Sequence, residues 1–378
     1  MSKHKVLITG GAGFIGLTLA RQLVAAGHEV MAVDSLSPQI HGALPMVDLS
    51  ALSGEGFTFV RGDVRHPADF DRALAFADCL VHLAAETGTA QSMYEISRYG
   101  SVNFQGTANL LQWLQDHPNR VRKVVLASSR SIYGEGAYLC AACGIVSPDA
   151  RLEEALARHQ WDPVCPNCEK ILEVIPTPES SRPRPASIYA ATKLAQEDLV
   201  RITCGALGIP FTTLRFQNVY GPGQSLNNPY TGILSIFSTR IRRGLDLPIF
   251  EDGRESRDFV HVEDIAAVVR VCLDATATDG QTINVGSGTS TSVQEVARTL
   301  MDALGGNSRI YVTGQYRVGD IRHCFADISL LKRLTEFTPR IRLEEGLEGF
   351  AAWVKTQPLP EDGLERANRT LYEKGLMK

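Results

Sequence analysis

The feature that most constrains this chain is a glycine run placed between a short apolar segment and an amphipathic one. KVLIT at 5–9 leads into Gly10-Gly11-Ala12-Gly13-Phe14-Ile15-Gly16, and LTLARQLVAAGH follows. Glycine is needed where a backbone must turn sharply at a strand end and let a pyrophosphate approach a helix N-terminus, whose free amides favour phosphate. Gly10, Gly13, Phe14, Ile15 and Gly16 are therefore candidate dinucleotide contacts. Asp34 closes the next apolar run, EVMAVD, 18 residues beyond Gly16 (16 to 34). A carboxylate there can accept from both adenosine ribose hydroxyls and would repel a 2′-phosphate, which predicts NAD over NADP. The competing reading of Asp34 is a solvated turn residue. Asp63, in RGDVRH, stands where an adenine amino group could be met, or is a helix N-cap.

Short apolar runs continue to alternate with helical patterns: FTFVRGD (57–63), CLVHLAA (79–85), RKVVLASS (122–129), FTTLRF (211–216) and TINVGS (282–287). This alternation predicts an α/β fold, a doubly wound parallel Rossmann sheet. Residues 1–216 form the expected NAD-binding domain, with 259–287 returning to it. A cysteine-rich insertion is expected over 136–180, ahead of the proline-rich PTPESSRPRPAS. Residues 217–258 and 288–378 are expected to build a smaller α+β substrate domain. A net charge of −4 gives no general attraction to nucleic acid or anionic membrane. No apolar run approaches the roughly 18 residues of a membrane span. The expected location is cytoplasmic.

Tyr189 and Lys193 stand in YAATK, one helical turn apart and on one face. An ammonium beside a phenol lowers the tyrosine pKa, which would fit Tyr189 as a general acid/base. At this spacing the same two residues can also be an ordinary surface pair.

TGGAGFIG, HLAAE, SSRSIYG, YAATK, RFQNVYGPG and RDFVHVEDIA occur in one order over nearly the whole chain. In that order they resemble the extended short-chain dehydrogenase/reductase family, the NAD-dependent epimerases and dehydratases. The resemblance implies that Ser129 hydrogen-bonds the reacting sugar hydroxyl, Tyr189 is the acid/base and Lys193 holds the nicotinamide ribose. It assigns Ser35, Val64, Leu83, Ala84, Ala85, Asn103, Ser128, Phe216 and Val219 to the cofactor cradle beside the glycine run and Asp34. It assigns Asn218, Arg257, Arg317 and Asp320 to a nucleotide-sugar substrate, the arginines because a planar guanidinium fork suits diphosphate. Without the resemblance, Arg257 and Arg317 read as solvated. A homodimer through the Tyr189 helix and the helix after Gln91 is also implied.

Family members that dehydrate nucleotide sugars carry Asp-Glu directly after the serine or threonine of this motif, and decarboxylating relatives tend to place Glu at the second of these positions. Here the two residues are Arg130 and Ser131. No carboxylate stands there to expel a hydroxyl, which leaves 4-epimerisation by transient C4 oxidation. The alternatives are a UDP-hexose 4-epimerase, another nucleotide-sugar oxidoreductase that releases NADH, and a cofactor-sensing binding protein. DSLSPQIHG, HLAAETGTAQSM and the cysteine-bearing insert most resemble the dTDP-L-rhamnose 4-epimerase group. The role of Arg130 stays open between substrate contact and structural salt bridge.

Cys140 and Cys143 form one CxxC and Cys165 and Cys168 another, with 21 residues between the pairs. Two such knuckles can place four thiolates around a structural zinc, although the gap slightly exceeds the usual window of roughly 15 to 20 residues. His159 could replace one thiol, or be solvated. Four reduced cysteines in a loop without metal is the competing reading.

Overall fold

The computed structural model describes residues 3–42, 56–230 and 232–378. Residues 1–2, 43–55 and 231, included in the sequence-derived domain spans, lie outside the described residues. Seven parallel strands form the central sheet: β1 Lys5–Thr9, β2 Glu29–Asp34, β3 Phe57–Arg61, β4 Cys79–His82, β5 Lys123–Ser129, β6 Phe211–Phe216 and β7 Gln281–Val285. Their order is β7-β6-β5-β4-β1-β2-β3. The chain winds outward from β1 through β3, then returns to β4 and runs the other way. The carboxyl ends of β1 and β4 therefore flank the crevice where an open sheet of this kind receives ligands.

The longer helices are α1 Phe14–Ala25, α2 Gly106–Asp116, α3 Ile188–Leu207, α4 Ile233–Arg242, α5 Val262–Asp274, α6 Val293–Leu304, α7 Leu343–Thr356 and α8 Leu364–Glu373. Strand side chains alternate between faces, so one strand feeds two cores. Val6 and Ile8 pack with Leu19 and Leu23 of α1 and with Ile265, Val268 and Val269 of α5. Leu7 points the other way, to Leu110 and Leu114 of α2 and Val200 of α3. Each fully buried side chain of this size contributes about 1.5–3 kcal/mol. Strands buried on both faces explain why these runs are apolar throughout.

A third core joins α4, α6 and α7 through Phe237, Val296, Leu300, Leu347 and Phe350. Ser292 and Glu295 start α6 with a reciprocal capping box. The segment 326–337, grouped by sequence with the second domain, packs on the sheet instead: Ala326, Ile328, Leu331 and Phe337 join the core that holds α1 and α5. Four apolar side chains in a short segment go to the nearest uncovered apolar face, and here that face belongs to the sheet. Within the insertion, Tyr138–Cys140, Gly144–Val146 and Glu173–Val174 pair as a small antiparallel sheet.

Candidate active site

One cavity of about 1420 Å³ opens along the crevice and reaches from the glycine run to the second domain. Gly10 has φ +70°, and a Cβ there would stand 2.7 Å from the Ala84 nitrogen. A Cβ on Gly16 would stand 2.5 Å from the Gly10 carbonyl oxygen. Both positions are closed by backbone. Gly13 differs: it lines the cavity as the N-cap of α1, and its Cβ would meet only the Gly10 oxygen, at 3.3 Å. The bare surface left at Gly13 suits close approach of a pyrophosphate. Phe14 and Ile15 line the same end.

Asp34 accepts from the Ala12 N–H at 3.0 Å with one oxygen and from the Leu36 N–H at 2.8 Å with the other. The carboxylate is thus pinned to the glycine loop, with a lone pair on each oxygen left for a diol. Asp63 lines the cavity without capping a long helix. It is gripped by Arg65, at 2.6 Å from Nη2, and that hydrogen-bonded partner holds its carboxyl below the ordinary range. Ser35, Val64, Leu83, Ala84, Ala85, Ser128, Phe216 and Val219 all line the cavity. Asn103 lies behind it, fully buried, accepting from the Glu86 N–H at 2.8 Å and donating to the Thr192 hydroxyl at 3.0 Å. It shapes the cavity wall indirectly.

Ser129 ends β5, and its Oγ accepts from the Ser131 N–H at 3.2 Å and the Ser131 hydroxyl at 3.0 Å. With those acceptances made, its own proton is left to donate to the Tyr189 phenol oxygen. Ser187 caps α3 by accepting from the Ala190 N–H, and the Ser92 hydroxyl accepts from the Tyr189 N–H at 3.0 Å. These contacts fix the first turn of α3, which carries Tyr189. Burial raises the Tyr189 pKa, opposed by its hydrogen bond to Ser129 and by the charge of Arg130. Lys193 runs toward the sheet and donates to the Ala127 carbonyl at 2.9 Å, and burial lowers its own pKa to about 7 against the pull of Glu197. Spacing correctly placed both residues on one helix face but did not show where the long lysine side chain would end.

At the far end, Arg130 Nε donates to Asn218 Oδ1 at 2.7 Å. Arg317 lies over the Phe250 ring at 4.4 Å and donates to Asn368 at 3.2 Å. Asp320 lines the cavity. Burial raises its carboxyl, but Arg257, Arg317 and Arg151 outweigh this and the net shift is downward. Arg257 is not part of the cavity lining: it donates to the Ser256 and Arg322 carbonyls and, at 3.3 Å, to Asp320 Oδ1. It supports Asp320 from behind.

Sequence reasoning missed the group that holds this end in place. Arg151 donates to Glu135 at 3.1 Å, Glu251 at 2.9 Å, and the Trp161 and Asp320 carbonyls. Arg322 donates to Asp162, Glu251 and Asp252, while its N–H donates to Glu135. These carboxylates more than offset burial and raise both guanidinium pKa values. No local signal distinguishes such an arginine from a surface one. The network ties the insertion to the loop that carries Arg317 and Asp320.

The four cysteine sulfurs of the insertion lie within 4.8 Å of one another, with Cys140 and Cys168 at 3.5 Å. A tetrahedral zinc with bonds of about 2.3 Å needs sulfurs separated by about 3.8 Å, so the donor set fits. Backbone N–H groups of Ala142 and Cys143, with neighbouring thiols, lower the Cys140 pKa to about 7. His159 stacks on Trp161 and stands outside this cluster. Among the described residues no helix is long and apolar enough to cross a membrane.

With this geometry established, comparison with known proteins is informative. Residues 6–148 and 164–286 match the pattern of the NAD dependent epimerase/dehydratase family. The chain is 38% identical over 354 residues to a dTDP-L-rhamnose 4-epimerase of Burkholderia thailandensis, covering 93% of this chain and 94% of that protein. Among solved structures, UDP-glucuronic acid 4-epimerase from Bacillus cereus, in complex with UDP-glucuronic acid and NAD, superposes with a TM-score of 0.76 at 25% identity. That match covers 93% of this chain and 99% of the other. UDP-N-acetylglucosamine 4-epimerase from Methanobrevibacter ruminantium gives a TM-score of 0.76 at 28% identity, covering 95% and 100%.

Proposed function

The chain belongs to the NAD-dependent epimerase/dehydratase family, and from that premise we propose that it is a nucleotide-sugar 4-epimerase interconverting dTDP-L-rhamnose and dTDP-6-deoxy-L-talose. The observation that carries the reaction type is local. Ser129 and Tyr189 share the cavity, and the two residues after Ser129 are Arg130 and Ser131, so no acid stands where dehydration would need one. The sugar assignment rests on the 38% identity and on the cysteine insert.

NAD, held by the glycine run, Asp34 and the wall from Leu83 to Ala85, supplies the hydride acceptor and donor at C4. The chain's own residues handle the proton. Tyr189, as phenolate, takes the proton of the C4 hydroxyl, and Ser129 holds that oxygen by hydrogen bonding. Tyr189 would give the proton back to the same oxygen as the product alcohol forms. Arg130 and Ser129 favour the phenolate, offsetting part of the cost of burial. Lys193, tied to the Ala127 carbonyl, stands where it can meet the nicotinamide ribose. Asn218, Arg317 and Asp320 hold the diphosphate and nucleotide, with Arg257 backing Asp320.

Cys140, Cys143, Cys165 and Cys168 hold a structural zinc that closes the small insertion sheet, and the Arg151 and Arg322 contacts pass that rigidity to the substrate end. The 1–216, 136–180 and 217–378 spans act as cofactor, clamp and substrate parts, with 259–287 and the 326–337 segment on the cofactor side. Exposed Ile96, Phe104 and Ile202 lie on the helical stretch after Gln91 and on α3, which supports a homodimer through those elements. Reduced cysteines fit a cytoplasmic protein.

NMR of purified protein with dTDP-L-rhamnose and no added cofactor tests the reaction. The 6-deoxy-talose isomer should appear, with no net change in absorbance at 340 nm. Turnover of UDP-glucose with none of dTDP-rhamnose would move the substrate to UDP-hexoses, and NADH accumulation would replace epimerisation with oxidation. Metal analysis of protein purified without added zinc should find about one zinc per chain, and less than about 0.2 would reject the centre.

A further inference from the structure

The cavity-lining arginines fall into two kinds. Arg21, Arg65 and Arg98, around the dinucleotide end, each meet a carboxylate: Glu263 at 3.5 Å, Asp63 at 2.6 Å and Glu86 at 2.8 Å. Arg130 and Arg317, at the other end, have no hydrogen bond to a carboxylate among the described residues. Each also keeps a solvent-shielded N–H without an acceptor, Nη1 on Arg130 and Nε on Arg317. The nearest carboxylate, Asp320, is already bonded to Arg257. An unsatisfied, shielded guanidinium donor is costly, and the two arginines that carry one line the same cavity without a carboxylate bonded to either, which points to an anionic ligand there.

We propose that Arg130 is a substrate-binding residue whose guanidinium donates to an oxygen of the substrate diphosphate, forming with Arg317 a pair of cations matched to its two negative charges. This rests on the nucleotide-sugar reading and goes beyond it, since Arg130 stands where relatives place a small or acidic residue. The placement follows from the fold. Arg130 directly follows Ser129, and its side chain runs from the reacting hydroxyl toward Asn218. Asn218, Arg317 and Asp320 line the cavity at that end, where the diphosphate and nucleotide are assigned. Arginine has donors only, so its Nε bond to Asn218 also fixes the amide with its oxygen toward Arg130 and its NH2 group free for the ligand. Burial and the nearby Arg257 push the Arg130 pKa down, against the smaller opposing effects of Cys324 and Asp320.

The test is calorimetric binding of dTDP and of UDP, which carry the diphosphate without the sugar, to wild type, R130K and R130Q, beside steady-state kinetics. Expected for R130Q is nucleotide binding weaker by roughly 10- to 100-fold and KM rising in parallel, with the acid limb of the kcat–pH profile moving up because the Arg130 charge also favours the Tyr189 phenolate. R130K should fall between, because lysine keeps the charge and loses the planar fork. Retained NAD content and unchanged melting show that the variants fold. If R130Q binds dTDP and UDP as tightly as wild type, the inference is overturned, and a simultaneous collapse in kcat would place Arg130 at the reacting sugar. If wild type binds neither nucleotide, the nucleotide-sugar reading fails first, and the inference with it.

Discussion

The two ends of the cavity are built on different principles. The dinucleotide end hangs from a parallel sheet whose strands are buried in apolar layers on both faces, and its ligand-facing residues stand at strand ends. The substrate end is held by two arginines, four carboxylates and two small apolar clusters, one around Tyr138 and Leu172 and the other Leu156, Trp161 and Tyr316. Apolar packing is non-directional and accepts a changed methyl group at modest cost. A buried ion network depends on every member, because removing one leaves another charge buried and unpaired. One end is therefore tolerant and the other brittle.

The first way to sharpen this contrast is to remove chemistry from the tolerant end. Tyr189→Phe deletes one hydroxyl on a helix held by its own cap and by Ser92, so kcat should fall about 10³-fold while melting temperature and bound NAD stay unchanged. A matching loss of stability would show that the phenol is structural, and the contrast would weaken. Arg151→Met is the reciprocal experiment. It strands Glu135 and Glu251 and should cost about 3 kcal/mol, read as faster hydrogen exchange across 135–162 and 316–324 and a raised KM. Exchange in β1, β4 and β5 should not change. Uniform loosening of the whole chain would mean the two ends unfold as one unit. The double variant Cys140→Ser, Cys168→Ser should release zinc and expose 136–180 to limited proteolysis. It should raise KM less than Arg151→Met does, because Arg151 still bridges directly to Asp320.

The same contrast decided what could be read from sequence. Gly10, Gly13, Gly16 and Asp34 were legible because a strand, a turn and a helix in close succession leave a local signature, and the alternation of apolar runs gave the parallel sheet. Tyr189 and Lys193 were placed on one face by spacing alone. The network was not legible: Arg322 meets Glu135 and Asp162 across separations of 187 and 160 residues, and isolated charges carry no period. The family pattern itself skips 149–163, the stretch that supplies Arg151, Trp161 and Asp162. The 326–337 segment was misassigned for a related reason, since an apolar face does not reveal from sequence which of two cores it will cover. Asn103 and Arg257 came from resemblance, and the structure places both behind the cavity wall as supports.

The smallest expected effect tests the tolerant end on its own terms. Lys193 is an ammonium buried beside the Arg215–Glu197 ion pair, and burial brings its pKa from 10.5 down to about 7. A lowered lysine pKa means that between about pH 7 and pH 10.5 the unfolded chain binds a proton that the folded chain does not. Stability from this group therefore rises with pH across that window, and below it the folded state bears the full cost of burying the charge. Melting of the cofactor-free protein should show a positive contribution from pH 7 upward, and Lys193→Met should remove it while raising stability at pH 6. A wild-type curve parallel to that of Lys193→Met would mean that Glu197 and the Ala127 carbonyl keep the ammonium charged. The dinucleotide end would then hold a third buried charge beside its Arg215–Glu197 pair, an ion site as demanding as those around Arg151.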